Sequence, residues 1–369
     1  MKRLLVLVSL CACTLPEVSQ EGAHVRLATD PGLTMCGDGV AHMDRFVAAL
    51  AAEFGRPPPT GDDRILYYWL RDADFDARTI CVLEHGGCAV GGDVFMTYAP
   101  HDHELVHALA WPDGVSAAFF VEGLAVAYEF QGVDSYAPGA GFYNDDSIAV
   151  ALADRERAWL PSIRYHLAGA FTAFLIEKFG IDAYFRVYRK LQLPDTPGIV
   201  SGVLESELGA SLDALSAEFD ATRGDCPPMA YQRKLLECSA PAIAWDGVTW
   251  AGYRTLGCDQ ADVVGPFADD SVLTYQTITV PEDAIYALTV IGDAEARRSA
   301  TPNAITLRRC GGCDDFVEAH ASAGEGVVTA RLNAGTYALR SRGPASETTG
   351  IGIRIERLWP APEEEMPED

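Results

Sequence analysis

A chain of 369 residues that is 49% hydrophobic and 22% charged can bury a full core and has the length of two domains. Its formal net charge of -25 excludes a nucleic-acid or anionic-membrane surface, since both need clustered Lys and Arg. An acidic balance favours solubility and tolerates cationic partners, but defines no chemistry.

The N-terminus reads as a targeting segment. Met1 to Arg3 is basic, and Leu4 to Leu10 is an apolar run too short to span a bilayer. Leu10-Cys-Ala-Cys13 resembles a bacterial lipobox, which makes residues 1–12 a lipoprotein signal peptide and Cys13 the lipidated first residue of the mature chain. Cys11 fits worse, because Leu10 occupies the position where a small residue is wanted. The alternative is an ordinary secretory signal cleaved nearby. Either way the protein is expected to be exported, at the periplasmic face or cell surface if a lipid anchors it to the membrane. No other stretch is apolar for long enough to cross a membrane.

Export gives the cysteines meaning. Setting aside Cys11 and Cys13 leaves Cys36, Cys81, Cys88, Cys226, Cys238, Cys258, Cys310 and Cys313, an even set that suggests disulfides. Cys81 and Cys88 enclose a Gly-Gly turn and can close a small loop. Cys310-Gly-Gly-Cys313 is expected to pair as a tight loop, since no second such motif or thioredoxin-like context favours a metal or redox pair. Three of these cysteines precede residue 200 and five follow it, so full pairing requires at least one bridge between the halves.

In chain order, residues 13–23 form a polar tether and His24 to Ala28 a first strand. Asp38 to Phe54 carries apolar residues at helical spacing and stops at Gly55. Ile65 to Leu70 and Asp93 to Ala99 read as strands, giving a mixed α/β layer. A helix from Asp102 to Ala110 ends before the turn signature Trp111-Pro-Asp-Gly114, and a second runs from Ala117 to Phe130. Gly132 to Asp146 is a loop beside the cleft. Further helices cover Tyr165 to Phe179, Asp182 to Leu191 and Ser211 to Thr222, closing a first domain of residues 24–225. Residues 240–357 change texture: short alternating runs at 273–280, 285–291, 304–308, 326–332, 336–340 and 351–355, with no helical pattern between them, signal an antiparallel sandwich or jelly roll. Residues 358–369 are an acidic, Pro-rich tail, expected to be disordered.

The chemistry concentrates in His103-Glu104-x-x-His107. Helical positions four apart share a face, so both imidazoles can meet one Zn²⁺, with Glu104 beside them as a base for water. Glu122, on the following helix, is the leading candidate for a third ligand, and two His plus one carboxylate leave a position open for catalysis. His101 is two residues from His103 and points elsewhere, as a surface or N-terminal helix residue. His24, His42, His85 and His320 show no partner pattern. Tyr275, Tyr286 and Tyr337 suit inward positions of the sandwich better than a carbohydrate platform.

His103-Glu-Leu-Val-His107, then Phe120-Val-Glu-Gly-Leu-Ala125, then the block from Tyr165 to Gly180 together resemble the gluzincin metallopeptidases, most closely the bacterial peptidase-MA-like domains. The resemblance covers roughly residues 90–195 and omits the sandwich. It implies an α+β zincin-like domain that hydrolyses peptide bonds of a peptide or protein substrate, with Zn²⁺ on His103, His107 and Glu122 and with Glu104 as base. It also implies an oxyanion role for Tyr165, or for His166, and a substrate paired along the strand Asp93 to Ala99. The chain departs from the family at Phe119, where Trp is usual, and at Val126, where an acidic residue usually orients a ligand His; Asp102 or Glu129 can substitute. The competing reading is a non-catalytic, surface-anchored adhesion protein on a zincin scaffold, its sandwich engaging glycans or protein. An intact Glu104 favours the enzyme, because a scaffold needs no base.

Overall fold

The structure, a computed structural model, describes residues 15–79, 81, 86–129, 147–153, 165–192, 195–223, 231–295, 297–311 and 317–360. The lipobox with Cys13, the loop expected at 132–146, His85, Cys226, Cys313 and residues 361–369 lie outside the described residues.

The first half is a mixed sheet covered by helices. Strands β1 (Val18–Glu21), β2 (Val25–Thr29), β3 (Ile65–Trp69), β4 (Gly87–Val90) and β5 (Asp93–Met96) are ordered β1-β2-β3-β5-β4. The central strands β2, β3 and β5 run parallel, while β1 and β4 are antiparallel edges. Helix α1 (Gly39–Glu53) makes the β2–β3 crossover that parallel strands require. Its Met43, Phe46, Val47 and Leu50 share one core with Val25, Leu27, Tyr67 and Met96 of the sheet. Two expectations change here. Part of the supposed tether is strand β1, and the strand at 93–96 is interior, because β4 pairs along its outer side. A four-residue edge strand beginning with Gly-Cys carries too little alternation to be read from sequence.

Helix α2 (Asp72–Arg78) lies between β3 and β4; after β5 come α3 (Asp102–Ala110), a 3₁₀ turn at Trp111–Asp113, and α4 (Ala118–Tyr128). Nearly every residue of α4 is buried, as its apolar sequence on all faces requires. Helices α5 (Ile148–Ala153), α6 (Tyr165–Phe179), α7 (Ile181–Tyr188), α8 (Pro197–Leu208) and α9 (Leu212–Arg223) complete the set among the described residues. Helix α4 packs tightly on α6 at two glycines. A Cβ on Gly123 would stand 2.4 Å from Thr172 Oγ1, and one on Gly169 would stand 2.5 Å from Val126 Cγ1. The glycines of the two motif blocks therefore let α4 and α6 approach, and Val126 fills that contact instead of offering a carboxylate.

The second half is the expected sandwich. Strands β6 (Thr249–Leu256), β7 (Ser271–Val280), β8 (Ala284–Gly292), β9 (Ala304–Arg309), β10 (Glu318–Ser322), β11 (Val327–Leu332), β12 (Gly335–Pro344) and β13 (Thr349–Pro360) form two antiparallel sheets, β10-β9-β12-β7 and β11-β8-β13-β6. Ile278, Leu288, Ile305, Leu339 and Ile353 fill the space between them, with Tyr286 and Tyr337 fully buried. Tyr275 instead faces the first half.

Three disulfides are present among the described residues: Cys36–Cys258, Cys81–Cys88 and Cys238–Cys310. Cys310 thus pairs across 72 residues and not with Cys313. Cys36–Cys258 is a bridge between the halves, and backbone bonds from Gly37 N to Cys258 O and from Asp38 N to Val263 O run beside it. Because this bridge joins residues 222 apart, its removal frees a long loop in the unfolded chain. Replacing both Cys36 and Cys258 by Ala should lower unfolding free energy by about 2–5 kcal/mol, read from denaturant unfolding with midpoint and slope fitted together, the slope rising because the freed chain exposes more surface.

Candidate metal centre

Helix α3 follows β5 directly and carries His103 and His107 one turn apart; α4 returns across them and brings in Glu122. His103 Nε2 stands 3.1 Å from Glu122 Oε2 and 3.1 Å from His107 Nε2, and His107 Nε2 stands 3.3 Å from the same carboxylate oxygen. His103 and Glu122 are buried, and His107 is half-buried toward the cleft.

The donor set fits zinc. A tetrahedral ion with N and O ligands at about 2.0–2.1 Å holds them about 3.3 Å apart, close to the spacings found. The hydrogen bonds agree. His103 Nδ1 lies 2.8 Å from Glu129 Oε2, an arrangement that places its proton there and turns the Nε2 lone pair inward. Three acceptors then face one point, which needs a positive charge. Without a metal that charge is a proton: burial opposes it on His103, but Glu122 and Glu129 outweigh burial and hold the imidazole well above the usual histidine range. Burial likewise opposes ionisation of Glu122, yet His107 and His103 hold its carboxyl well below the usual range.

Glu129 is the acidic partner that Val126 cannot be. It lies seven residues after Glu122, two helical turns along the same face, at the C-terminal end of α4. Asp102, the other candidate, is committed elsewhere: its Oδ2 meets His42 Nε2 at 2.9 Å, and His42 Nδ1 meets the Tyr275 hydroxyl at 3.2 Å. His42 is therefore a fully buried link between the halves, although nothing in its local sequence marks it. His101 is the N-cap residue of α3, the second of the two places expected for it, and is half-buried, with its ring 5.6 Å from that of His103; burial holds its pKa well below the usual range.

A cleft of about 170 Å³ opens over the three donors, lined by Glu104, Tyr165, Trp111, Val121, Tyr188 and the edge strand at Gly87, Cys88 and Ala89. Burial raises the pKa of Glu104, with His107 and His103 pulling the other way. The Tyr165 ring centre lies 6.0 Å from that of His103. Burial, followed by the charges of Glu122, Glu104 and Glu129, pushes its phenol above the ordinary range, so it stays a neutral donor. Tyr165 lines the cleft and His166 does not. All four motif residues and Tyr165 are thus brought together. Sequence reasoning gave no site role to Trp111, read only as part of a turn, to Val121, a position within a motif block, or to Tyr188, and it missed the edge strand; it also missed Gln232, whose amide reaches Glu129 from a segment outside the motif blocks.

No family model matches the chain, and no curated protein matches it. Among solved structures it is similar to the pre-peptidase C-terminal domain of collagenase from Bacillus anthracis, at 13% identity and a TM-score of 0.22 over 32% of this chain and 94% of that one. It is also similar to a Podospora anserina GH26-CBM35 β-(1,4)-mannanase, at 13% identity and a TM-score of 0.19 over 33% of this chain and 30% of that one. A Paenibacillus cycloisomaltooligosaccharide glucanotransferase matches at 18% identity and a TM-score of 0.15 over 23% of this chain and 13% of that one. The chain thus spans under a third of each of these two enzyme chains. Among the described residues, no helix is long and apolar enough to cross a membrane.

Proposed function

We propose that this chain is an exported, lipid-anchored zinc metallopeptidase with a zincin-like first domain. The carrying observation is that His103, His107 and Glu122 converge on one point beside Glu104, on the floor of an open cleft. Zinc bound there supplies Lewis acidity, which polarises a peptide carbonyl and acidifies water. Glu104 accepts the water's proton and returns it to the leaving amine, from a position on the wall of the cleft beside the three donors. The Tyr165 hydroxyl donates to the developing oxyanion. Glu129 fixes the His103 ring. An extended peptide adds to the outer edge of β4, which pairs with no strand on that side among the described residues and whose Gly87 to Ala89 line the cleft. The strand at 93–96 cannot serve, since both of its sides are taken.

Zinc content and peptide cleavage by the purified chain test this reading. Failure to take up zinc, or a zinc-loaded chain that cleaves nothing in a diverse peptide library, would sink it. The cleft also has a preference built in: Trp111, Val121 and Tyr188 are apolar or aromatic in a chain that is otherwise strongly acidic. Cleavage should favour bulky apolar side chains next to the scissile bond. Trp111→Ala should lower kcat/KM for such peptides roughly tenfold and leave small-side-chain peptides within about twofold, the scale of one apolar contact.

A further inference from the structure

Residues 231–238 lie beyond the helices of the first half, yet they do not behave as a linker. Gln232 is buried, and its Nε2 donates to Glu129 Oε1 at 3.3 Å and to the Val126 carbonyl at 3.4 Å. The next residue continues the contact: Arg233 N donates to the Ala127 carbonyl at 2.9 Å, and its guanidinium pairs with Glu53 at 2.5 Å. Leu236 is buried in the first core. The far end of the segment belongs to the sandwich. Glu237 pairs with Arg340 of β12, both nearly fully buried, and Cys238 is bonded to Cys310 just after β9. A small cavity of about 20 Å³ lies where Glu129, Gln232, Glu237, Arg308 and Arg340 meet.

We propose that Gln232 is a positioning residue for the metal centre, held in place by a clasp, residues 231–238, that the β-sandwich anchors. The inference rests on the zinc reading and deepens it. His103 is oriented by Glu129, and Glu129 is oriented in turn by an amide that adds no charge of its own. The chain of contacts runs His103, Glu129, Gln232, then through the backbone to Glu237 and Cys238 on the sandwich. An amide suits the middle position. It donates to the carboxylate oxygen that faces away from His103 while its second contact, to the α4 backbone, sets the direction of approach. A leucine of similar volume removes that donor and weakens the hold on the Glu129 carboxylate, and through it on the His103 ring. The sandwich is then part of the machinery of the site and not an appended module.

The test compares the full chain with Gln232→Leu by competition for zinc with a chromophoric chelator, and by the visible spectrum after cobalt(II) loading. The expected result is a tenfold or greater loss of zinc affinity with altered cobalt bands, as for other residues behind metal ligands. A merely structural role would lower the unfolding midpoint of the metal-free protein and leave the cobalt bands unchanged. If Gln232→Leu does not fold, the double variant Cys238→Ala with Cys310→Ala removes the covalent anchor of the clasp, keeps the Glu237–Arg340 pair and leaves Glu129 and Gln232 in place; a smaller loss in the same direction is expected. Zinc affinity within twofold of wild type and an unchanged cobalt spectrum, in whichever of these variants folds, overturn the proposal alone. A wild-type chain that takes up neither zinc nor cobalt overturns the metal reading and this inference together.

Discussion

Glu104→Gln should retain zinc at wild-type stoichiometry while kcat for peptide hydrolysis falls by about 10²–10⁴-fold, the range for loss of a positioned base. Glutamine keeps the volume and planarity of glutamate but cannot take a proton. The three donors that converge on the metal position do not include Glu104, so the ligand set is left untouched. KM should therefore change little, since an interaction needed for proton transfer acts in the transition state and not in substrate binding. The pH profile gives a second reading of the same residue: the acid limb of kcat/KM that reports deprotonation of Glu104 should disappear in Glu104→Gln. Tyr165→Phe should be the milder change, because it removes one donor and no proton acceptor. Hydrolysis within tenfold of wild type in Glu104→Gln would place the base elsewhere.

The difference between what was legible in the sequence and what was not follows physical range. His103, Glu104 and His107 were legible because helical periodicity is a local rule, and a spacing of four gives a shared face whatever the rest of the fold does. The helix boundaries around them also follow from local chemistry, as in the stop at Trp111-Pro112. Glu122 needed one further step, a helix returning after a short turn. Glu129 lay within reach by the same periodicity, as a carboxylate two turns on, but choosing it over Asp102 required knowing that His42 claims Asp102. That choice depends on tertiary contact. Gln232 and Tyr275 stand 103 and 233 residues from the side chains they touch, and no pattern in a single chain marks such pairs. Short elements failed for another reason: β4 and β1 are four residues each, too few for alternation to rise above chance. The cysteines show the same limit. Parity implied a bridge between the halves, and one exists, but the neighbour expected for Cys310 gave way to Cys238, since pairing is decided by the fold.

Glu122→Ala should abolish the stabilisation that zinc gives the wild-type chain. A ligand that binds only the folded state stabilises it by about 4.1 kcal/mol at a thousandfold excess over Kd, which for a domain of this size is on the order of 10 °C in Tm. Zinc titration of the wild type should show that rise, and Glu122→Ala should show none, because two imidazoles remain and the carboxylate that shares their metal is gone. The metal-free proteins separate the two roles of the residue. Glu122 is buried against His103 and His107, and removing one partner of a buried ion pair costs about 3–5 kcal/mol when the other charge is stranded. His103 is not stranded, since it can shed its proton or keep Glu129 as partner, so the loss in the metal-free state should fall below that range. Glu122→Gln sharpens the comparison by keeping the shape and one neutral oxygen: its metal-free midpoint should lie between those of wild type and Glu122→Ala, with most of the zinc response lost. A zinc-dependent rise of wild-type size in Glu122→Ala would mean that the metal binds elsewhere on the chain.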